Sequence, residues 1–412
     1  MDRDLHSILF PIPSTLFPNP LSCSPKSDMH TLEDISSLFE EKFYEPPLLI
    51  QACGRINIIG EHTDYNEGFV LPASINRYIY FAIGENGTNE CHFYAADIGE
   101  EYHFSLSDIK KSEKAWANYL MGILQQLQKE DIPLEGLDVV FGGNLPVGAG
   151  MSSSAALEAG FALGVCSMFN LQKSRRELAQ LALRSSHEFV GVPCGIMDQF
   201  ASLLGRREQA IKLDCRSLHY EYIPLNLGDY ELLLVNSGVS HELANSAYKD
   251  RVEECETGVR SVQTVYPEVE SLRDVTLDQL EACKSAMSET IYRRCHYVLE
   301  ENERLHQAVD AMREGDMTTL GALMLRTHEG LSKEYEVSCR EVDFLVELAK
   351  EQPGVAGARM MGGGFGGCTI NLLRKDAKKE FLKKIKREYY RAFSIKAEHY
   401  ELEVVNGTDV VN

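Results

Sequence analysis

Hydrophobic positions along the chain change their period several times. Leu48-Leu49-Ile50, Ile79–Ile83 and Val139-Val140-Phe141 are short apolar runs bounded by Gly, Pro or Asn, a pattern that predicts strands. From Ala155 onward apolar residues recur at helical spacing. A further helix is predicted from Ser174, because Ser174 and Glu177 have the spacing of a capping box, and Leu178, Leu181 and Ala182 continue it toward Ser186. Leu232–Val235 predicts a strand that opens a mostly helical second half, with helices over 241–263, 288–313, 316–331 and 339–351. Strand pieces Ala358–Met360 and Thr369–Leu373 follow. This mixture predicts an α/β or α+β protein whose halves meet near residue 213. No repeat and no long linker separates them, which predicts a broad shared interface.

Residues 1–28 stand outside the pattern. They carry Pro11, Pro13, Pro18, Pro20 and Pro25 among several Ser, and the apolar patch Ile8-Leu9-Phe10 is too short for a signal segment. Two readings fit: an upstream in-frame start with Met29 opening the fold, or a genuine disordered extension. The expected division is therefore 1–28, 29–212 and 213–412, in keeping with 412 residues at ~150 per domain.

Composition narrows the function classes. Hydrophobic residues at 44% and charged residues at 25% exclude wholesale disorder. Forty-one Lys+Arg against 62 Asp+Glu leave a net charge of −21, which repels nucleic acid and anionic membranes, so neither is expected as a partner. A small anion would need a local positive pocket. No apolar run approaches the ~18 residues of a spanning helix. The 11 cysteines form no C-x-x-C pair, which argues against a zinc ribbon or disulfide framework and for reduced thiols in a cytoplasm.

Four segments carry candidate chemistry. Leu145-Pro-Val-Gly-Ala-Gly-Met-Ser-Ser-Ser-Ala-Ala156 follows a strand and opens a helix, where free backbone N–H groups and the helix dipole suit an anion. It lacks the lysine of the common nucleotide loop, and taken alone a serine-rich N-cap explains it as well. Gly362-Gly-Gly-Phe-Gly-Gly367 spends about 0.5–1 kcal/mol of entropy per glycine relative to Ala, so something must approach its backbone closely, whether a ligand or another chain segment. Gly54–Tyr65 gathers Arg55, Glu61, His62 and Asp64 within ten positions. That set suits hydrogen bonds to a polyol, and also an exposed ion-pair cluster. Gly195-Ile-Met-Asp-Gln199 places one carboxylate among apolar neighbours, fitted either to accept a hydroxyl proton or to serve as a structural acceptor.

Together and in this order, Gly54–Tyr65 with its continuation to Pro72, Leu145–Ala156, Pro193–Gln199 and Gly362–Cys368 resemble the motifs of the GHMP family of small-molecule kinases, and within it the branch that acts on galactose. The likeness also runs through His241–Tyr248 and Leu331–Pro353 and spans residues 40–400. The resemblance implies an α+β, two-domain fold, each half a sheet backed by helices, with the active site in the cleft between them. It implies ATP-dependent phosphorylation of the C1 hydroxyl of α-D-galactose, giving galactose 1-phosphate and ADP for galactose catabolism. Asp198 is implied as the acceptor of the hydroxyl proton, with Arg55 beside it stabilising charge at the transferring phosphoryl group. Glu61, His62, Thr63, Asp64, Gly195 and Tyr248 match positions around the sugar. Gly148, Ala149, Gly150, Met151, Ser152, Ser153 and Ser154 match the loop that wraps the triphosphate. Trp116, in Trp116-Ala-Asn-Tyr119, matches a segment lining the nucleotide pocket, or is plain packing. Mg²⁺ is implied as second cofactor beside ATP, held by the Ser154 hydroxyl and by position 186. The implied partners are the small molecules D-galactose and MgATP, and the implied state is a monomer.

Three residues depart from the family pattern. Ser186 stands where the family has a Glu ligand to magnesium, twelve residues before the catalytic Asp. Glu188 is two positions on and reaches the metal only if the helix distorts there. Met361 replaces the usual hydroxyl residue before the glycines, and Cys53 the usual Pro before Gly54-Arg55, where a reactive thiol near the sugar is a minor alternative. Ser186 and Met361 leave room for one alternative to galactose phosphorylation, a galactose- and ATP-binding sensor with little catalysis; separately, kinases for related sugars such as N-acetylgalactosamine share the frame, although Thr63-Asp64-Tyr65-Asn66 fits galactose best.

Overall fold

The computed structural model describes residues 30–240 and 244–411. The expectations for residues 1–28 and for the first residues of the 241–263 helix lie outside them. In chain order the first half carries α1 (Leu32–Phe43), β1 (Leu48–Asn57), β2 (Phe69–Val70), β3 (Pro72–Glu85), β4 (Glu90–Ala95), β5 (Glu100–Ser105), α2 (Ala115–Lys129) and β6 (Leu137–Gly143). It continues with α3 (Ser153–Met168), α4 (Arg175–Ser185), α5 (Met197–Leu204), β7 (Gln209–Asp214) and β8 (Tyr220–Pro224). The second half holds β9 (Tyr230–Ser240), α6 (Ala244–Gln263), α7 (Leu277–Ala282), α8 (Glu289–Glu314), α9 (Met317–Lys333) and α10 (Arg340–Lys350). It ends with β10 (Val355–Met360), β11 (Gly366–Arg374), α11 (Lys378–Phe393), β12 (Glu398–Glu401) and β13 (Asp409–Val411).

The result is the α+β arrangement that the pattern predicts. A six-stranded sheet of order β13-β1-β3-β6-β4-β5 is antiparallel except for β4 beside β6. A four-stranded antiparallel sheet of order β10-β11-β9-β12 forms the other half, and β2, β7 and β8 make a small third sheet. Helix α3 lies against β1 and β3 and is buried on nearly every side from Ala155 to Cys166, as expected of a helix that is apolar all round. The opposite face of the large sheet is closed by Ile35 and Phe39 of α1 against Ala82 and Val140. The predicted capping box of α4 is present, with Ser174 and Glu177 satisfying each other's backbone N–H groups.

One apolar cluster runs through both halves, joining Ile56 and Val70 to Leu305, Met324 and Ile370, so the broad interface inferred from the missing linker exists. Residues 407–411 return to the first half. Strand β13 pairs with β1, Leu49 opposite Val411, and Thr408 N–H donates to Ser202 O of α5 at 2.7 Å. The described cysteines are all free, and no helix among the described residues is long and apolar enough to cross a membrane.

Candidate functional site

Strand β1 delivers Arg55. The β1–β3 register shifts between Cys53 and Arg55, a bulge at Gly54 that re-aims the next side chain. Gly54 is required there, because a Cβ would lie 2.5 Å from Leu145 Cδ1 and 2.8 Å from Met151 O. Arg55 N–H donates to Met151 O at 3.1 Å, seating the strand on the 145–156 loop. The guanidinium is buried and forks onto Asp198, Nε to Oδ1 at 2.7 Å and Nη2 to Oδ2 at 3.1 Å, while Nη1 donates to Gly150 O at 2.5 Å. Asp198 lies in the first turn of α5, where the helix dipole favours an anion, and keeps 29% of its side chain exposed.

Ser152 completes this junction. It is the N-cap of α3 but adopts the left-handed conformation, φ +59°, and its hydroxyl makes no capping bond. That hydroxyl donates to Asp198 Oδ2 instead. The run of serines is therefore not there to cap the helix. Ser153 is half-buried and Ser154 exposed at the mouth of the same helix, and Met151 and Ala149 fill core space beneath them.

On the other side of Asp198 lie the residues of the second polar segment. Asp64 follows Thr63 into a short 3₁₀ turn, and loss of water, reinforced by the charge of Asp198, pushes its carboxyl up to about 7. Gly195 sits directly against it: a Cβ there would meet Asp64 Oδ2 at 2.1 Å. His62 has φ +64°, is buried, and shares a 2.8 Å hydrogen bond between Nδ1 and Tyr65 Oη; its Nε2 has no partner among the described residues. Burial pushes the imidazole down to about 4, so it is neutral at ordinary pH. Tyr65, Tyr248 and Tyr335 ring it with centroids 5.9, 5.6 and 4.9 Å away.

Thr63 and Glu61 make contacts within the protein that the motif alone does not reveal. Thr63 is fully buried, and its hydroxyl lies 2.9 Å from Gly60 O and 2.5 Å from Phe69 O, so it shapes the turn rather than facing the cleft. Glu61 is also buried. Its Oε1 accepts from Gly362 N–H at 2.8 Å and pairs with Arg359 Nη1 at 3.1 Å. Burial opposes ionisation there, but Arg359 and then Arg55 outweigh it and hold the carboxyl below its ordinary value. Trp116 is half-buried, its Nε1 donating to Glu100 Oε2 at 3.0 Å and its ring 5.5 Å from that of Phe141.

The Gly362–Gly367 loop meets protein backbone. Gly362, at φ +85°, lies against Gly150, and a Cβ on Gly364, at φ +93°, would sit 2.2 Å from Val337 O. Met361 is buried beneath, and its carbonyl is what a Cβ on Gly150 would meet at 2.9 Å. Another chain segment approaches closely at Gly362 and Gly364.

Position 186 is corrected most clearly. A π-helical turn, Ser186–Val190, distorts the helix as the Glu188 reading required, yet Glu188 turns outward to Lys129 Nζ at 2.6 Å and Gln126 Nε2 at 3.0 Å. Ser186 is buried, and its hydroxyl bonds Glu158, 2.7 Å from Oε1 and 2.8 Å from Oε2. Ser186 thus gives its proton to Glu158 and, buried, offers no open surface to an incoming ion in this arrangement. Glu158 itself is fully buried, and loss of water pushes it to about 8. The Cys53 thiol donates to Ser202 O at 3.3 Å and is pushed to about 11, which rules out a reactive thiol. The exposed Ser154 hydroxyl remains, a hard oxygen donor that fits a magnesium ion carrying most of its own water and phosphate ligands.

Sequence reasoning passed over Arg359, Tyr335 and Glu158. Arg359 had a signal, a lone cation in the apolar strand Val355-Ala-Gly-Ala-Arg-Met360 just before the glycines.

Comparison with known proteins shows the family and the fold. Models of the GHMP kinases N-terminal domain, the galactokinase galactose-binding signature and the GHMP kinases C-terminal domain match residues 118–206, 37–85 and 308–392. A galactokinase of Thermotoga maritima is 41% identical over 362 residues, covering 88% of this chain and 99% of the relative. One from Lactobacillus helveticus is 39% identical and covers 86% and 93%. The crystal structure of Lactococcus lactis galactokinase complexed with galactose superposes with a TM-score of 0.88 at 32% identity over 92% of this chain and all of that one. A mevalonate kinase at 18% identity and TM-score 0.61 shares the fold.

Proposed function

The chain belongs to the galactokinase branch of the GHMP kinases, and from that premise we propose that it transfers the γ-phosphoryl group of ATP to the C1 hydroxyl of α-D-galactose, with Asp198 and Arg55 as its catalytic residues. The observation that carries the assignment of roles is the junction at Asp198, where one carboxylate receives a forked guanidinium from the sugar motif and a hydroxyl from the phosphate loop. In the reaction the sugar O1 forms a bond to phosphorus, the bond from phosphorus to the ADP oxygen breaks, and the hydroxyl proton passes to Asp198. Arg55 holds that acceptor in one orientation and supplies positive charge in an otherwise acidic protein. The 148–154 backbone and the N-terminus of α3 would hold the triphosphate, and Ser154 with the nucleotide would hold Mg²⁺, which would supply charge neutralisation on the phosphates. Trp116 lines the nucleotide side. Asp64, His62 and Tyr248 contact the sugar hydroxyls, with Gly195 and Glu61 framing them. The active unit is a monomer in the cytoplasm, its two halves dividing between β8 and β9 rather than at residue 213, which lies inside β7 and pairs with Val70 of β2.

The test is a coupled ADP-release assay with D-galactose across a magnesium titration. Galactose-dependent release of ADP matched by sugar phosphate, and none with N-acetylgalactosamine, is expected. No release at any magnesium level, with galactose still raising the thermal midpoint, establishes the sensor reading instead.

Two variants probe the sugar side. Asp64 rises from its ordinary 3.8 to about 7 on folding, so the native state holds the proton more tightly than the unfolded chain. Sugar-free protein therefore loses stability from this group as pH climbs from 3.8 to about 7. Asp64→Asn escapes that loss: its thermal midpoint gains on wild type over this window and keeps the gain above it, while KM for galactose rises at least about tenfold. An Asn variant no more stable than wild type at pH 8 sinks the titration argument. Gly195→Ala displaces Asp64 and should raise KM for galactose about tenfold with KM for ATP unchanged; equal shifts in both would count against the packing shown.

A further inference from the structure

We propose that Glu158 is a positioning residue for phosphoryl transfer, tying the phosphate-loop helix to the helix of Asp198 through Gln199, with Ser186 as its dedicated donor. Glu158 lies one turn beyond Ser154 on α3, hence on the same face of the helix that opens at the phosphate loop. Its side chain is fully enclosed. The Ser186 hydroxyl reaches both its oxygens, and Gln199 Nε2 reaches Oε2 at 3.2 Å. Gln199 is the residue after Asp198. Asp198 is thus fixed from two directions: its carboxylate by Arg55 and Ser152, and the helical turn that carries it by Glu158 on the far side.

The same contacts account for serine at 186. A carboxylate there would put two acids within hydrogen-bond distance in a buried place. The titratable groups facing Glu158 are Tyr119 of α2 and Cys194 of the loop before α5, neither a cation. Serine brings a proton and no charge, so Ser186 and Glu158 form a matched pair rather than a degraded metal site.

The inference rests on the kinase reading above, and one set of measurements separates the two. In the coupled assay Ser186→Ala and Glu158→Ala should lower kcat about tenfold or more, with KM for galactose changed less than about threefold. Glu158→Gln, whose amide oxygen can accept from Gln199 while its NH₂ donates to the Ser186 hydroxyl oxygen, should recover kcat to within about threefold of wild type. Calorimetric titration with ADP, with and without Mg²⁺, should give near wild-type affinity for all three. Ser186→Glu should lower the thermal midpoint and leave magnesium-dependent ADP affinity unchanged. Should Glu158→Ala fail to fold, Ser186→Ala, which removes one oxygen, carries the test. Unchanged kcat in the alanine variants, a glutamine variant as poor as alanine, or ADP affinity falling in step with kcat overturns the assignment. So does Ser186→Glu tightening magnesium-dependent ADP binding about tenfold, since position 186 would then face the metal. A wild type without galactose-dependent ADP release overturns the kinase reading and this inference with it.

Discussion

Asp198→Asn is expected to lower kcat with galactose by about 10²–10⁴-fold while the protein folds and binds ADP, the range spanned by loss of a positioned proton acceptor. The amide is close to the carboxylate in shape, so the loss reports chemistry. Both Asp198 oxygens accept, Oδ1 from Arg55 Nε, and Oδ2 from Arg55 Nη2 and the Ser152 hydroxyl. An amide offers one acceptor and turns an NH₂ toward one of these donors. The variant thus loses the base and leaves part of a buried guanidinium unpaired. Single-turnover measurements, which separate transfer from product release, are the appropriate readout. A variant within tenfold of wild type would mean that the hydroxyl proton goes elsewhere and that Asp198 only anchors Arg55.

Arg359→Ala should produce the largest loss of stability, about 3–5 kcal/mol in denaturant unfolding, as for one partner removed from a buried ion pair. Its guanidinium is fully buried at the end of β10 and spans the two halves. Nε donates to Ile58 O at 2.9 Å, Nη2 to Asn57 O, and Nη1 to Glu61 Oε1 and Met360 O. Removing it orphans two carbonyls at the end of β1 and leaves the Glu61 charge with the Gly362 N–H. Arg359→Met fills the volume but satisfies none of these groups, so it should recover little. A midpoint shift below about 1 kcal/mol would mean that water enters and replaces the guanidinium. Since His62 and Asp64 follow Glu61 directly, KM for galactose should rise in any folded variant.

The elements were readable wherever period and punctuation were both strong. The apolar runs around Ile50, Ile79–Ile83 and Val140 fall inside β1, β3 and β6, and the Ser174 box begins α4 as predicted. Of the six helices described in the second half, four were predicted to within a few residues of their described ends, while α7 and α11 were passed over. The candidate site was readable as far as local motifs reach: Arg55, Asp198 and Ser152 do converge. What escaped depends on contacts between distant segments. Glu61, grouped with the sugar residues, spends one oxygen on Arg359, 298 positions away. Thr63 belongs to the same motif, yet a local turn consumes its hydroxyl. Ser186 was matched by position to a metal ligand, and only the fold reveals that Glu158, 28 residues earlier, occupies its hydroxyl. The Gly362–Gly367 loop announced a close approach, but not that its partner is the chain itself.

The return of residues 407–411 to the first half has a consequence for biosynthesis. Ser202 and Thr408 share a 2.9 Å hydrogen bond across 206 positions of sequence, and β13 adds its edge to β1 as the outermost strand of the large sheet. On the ribosome the first half emerges with that edge exposed and with the helix of Asp198 lacking its last tether. It cannot reach its final form while the second half is still being made. A nascent chain therefore presents the open edge of β1 to its neighbours until residues 409–411 have emerged to cover it.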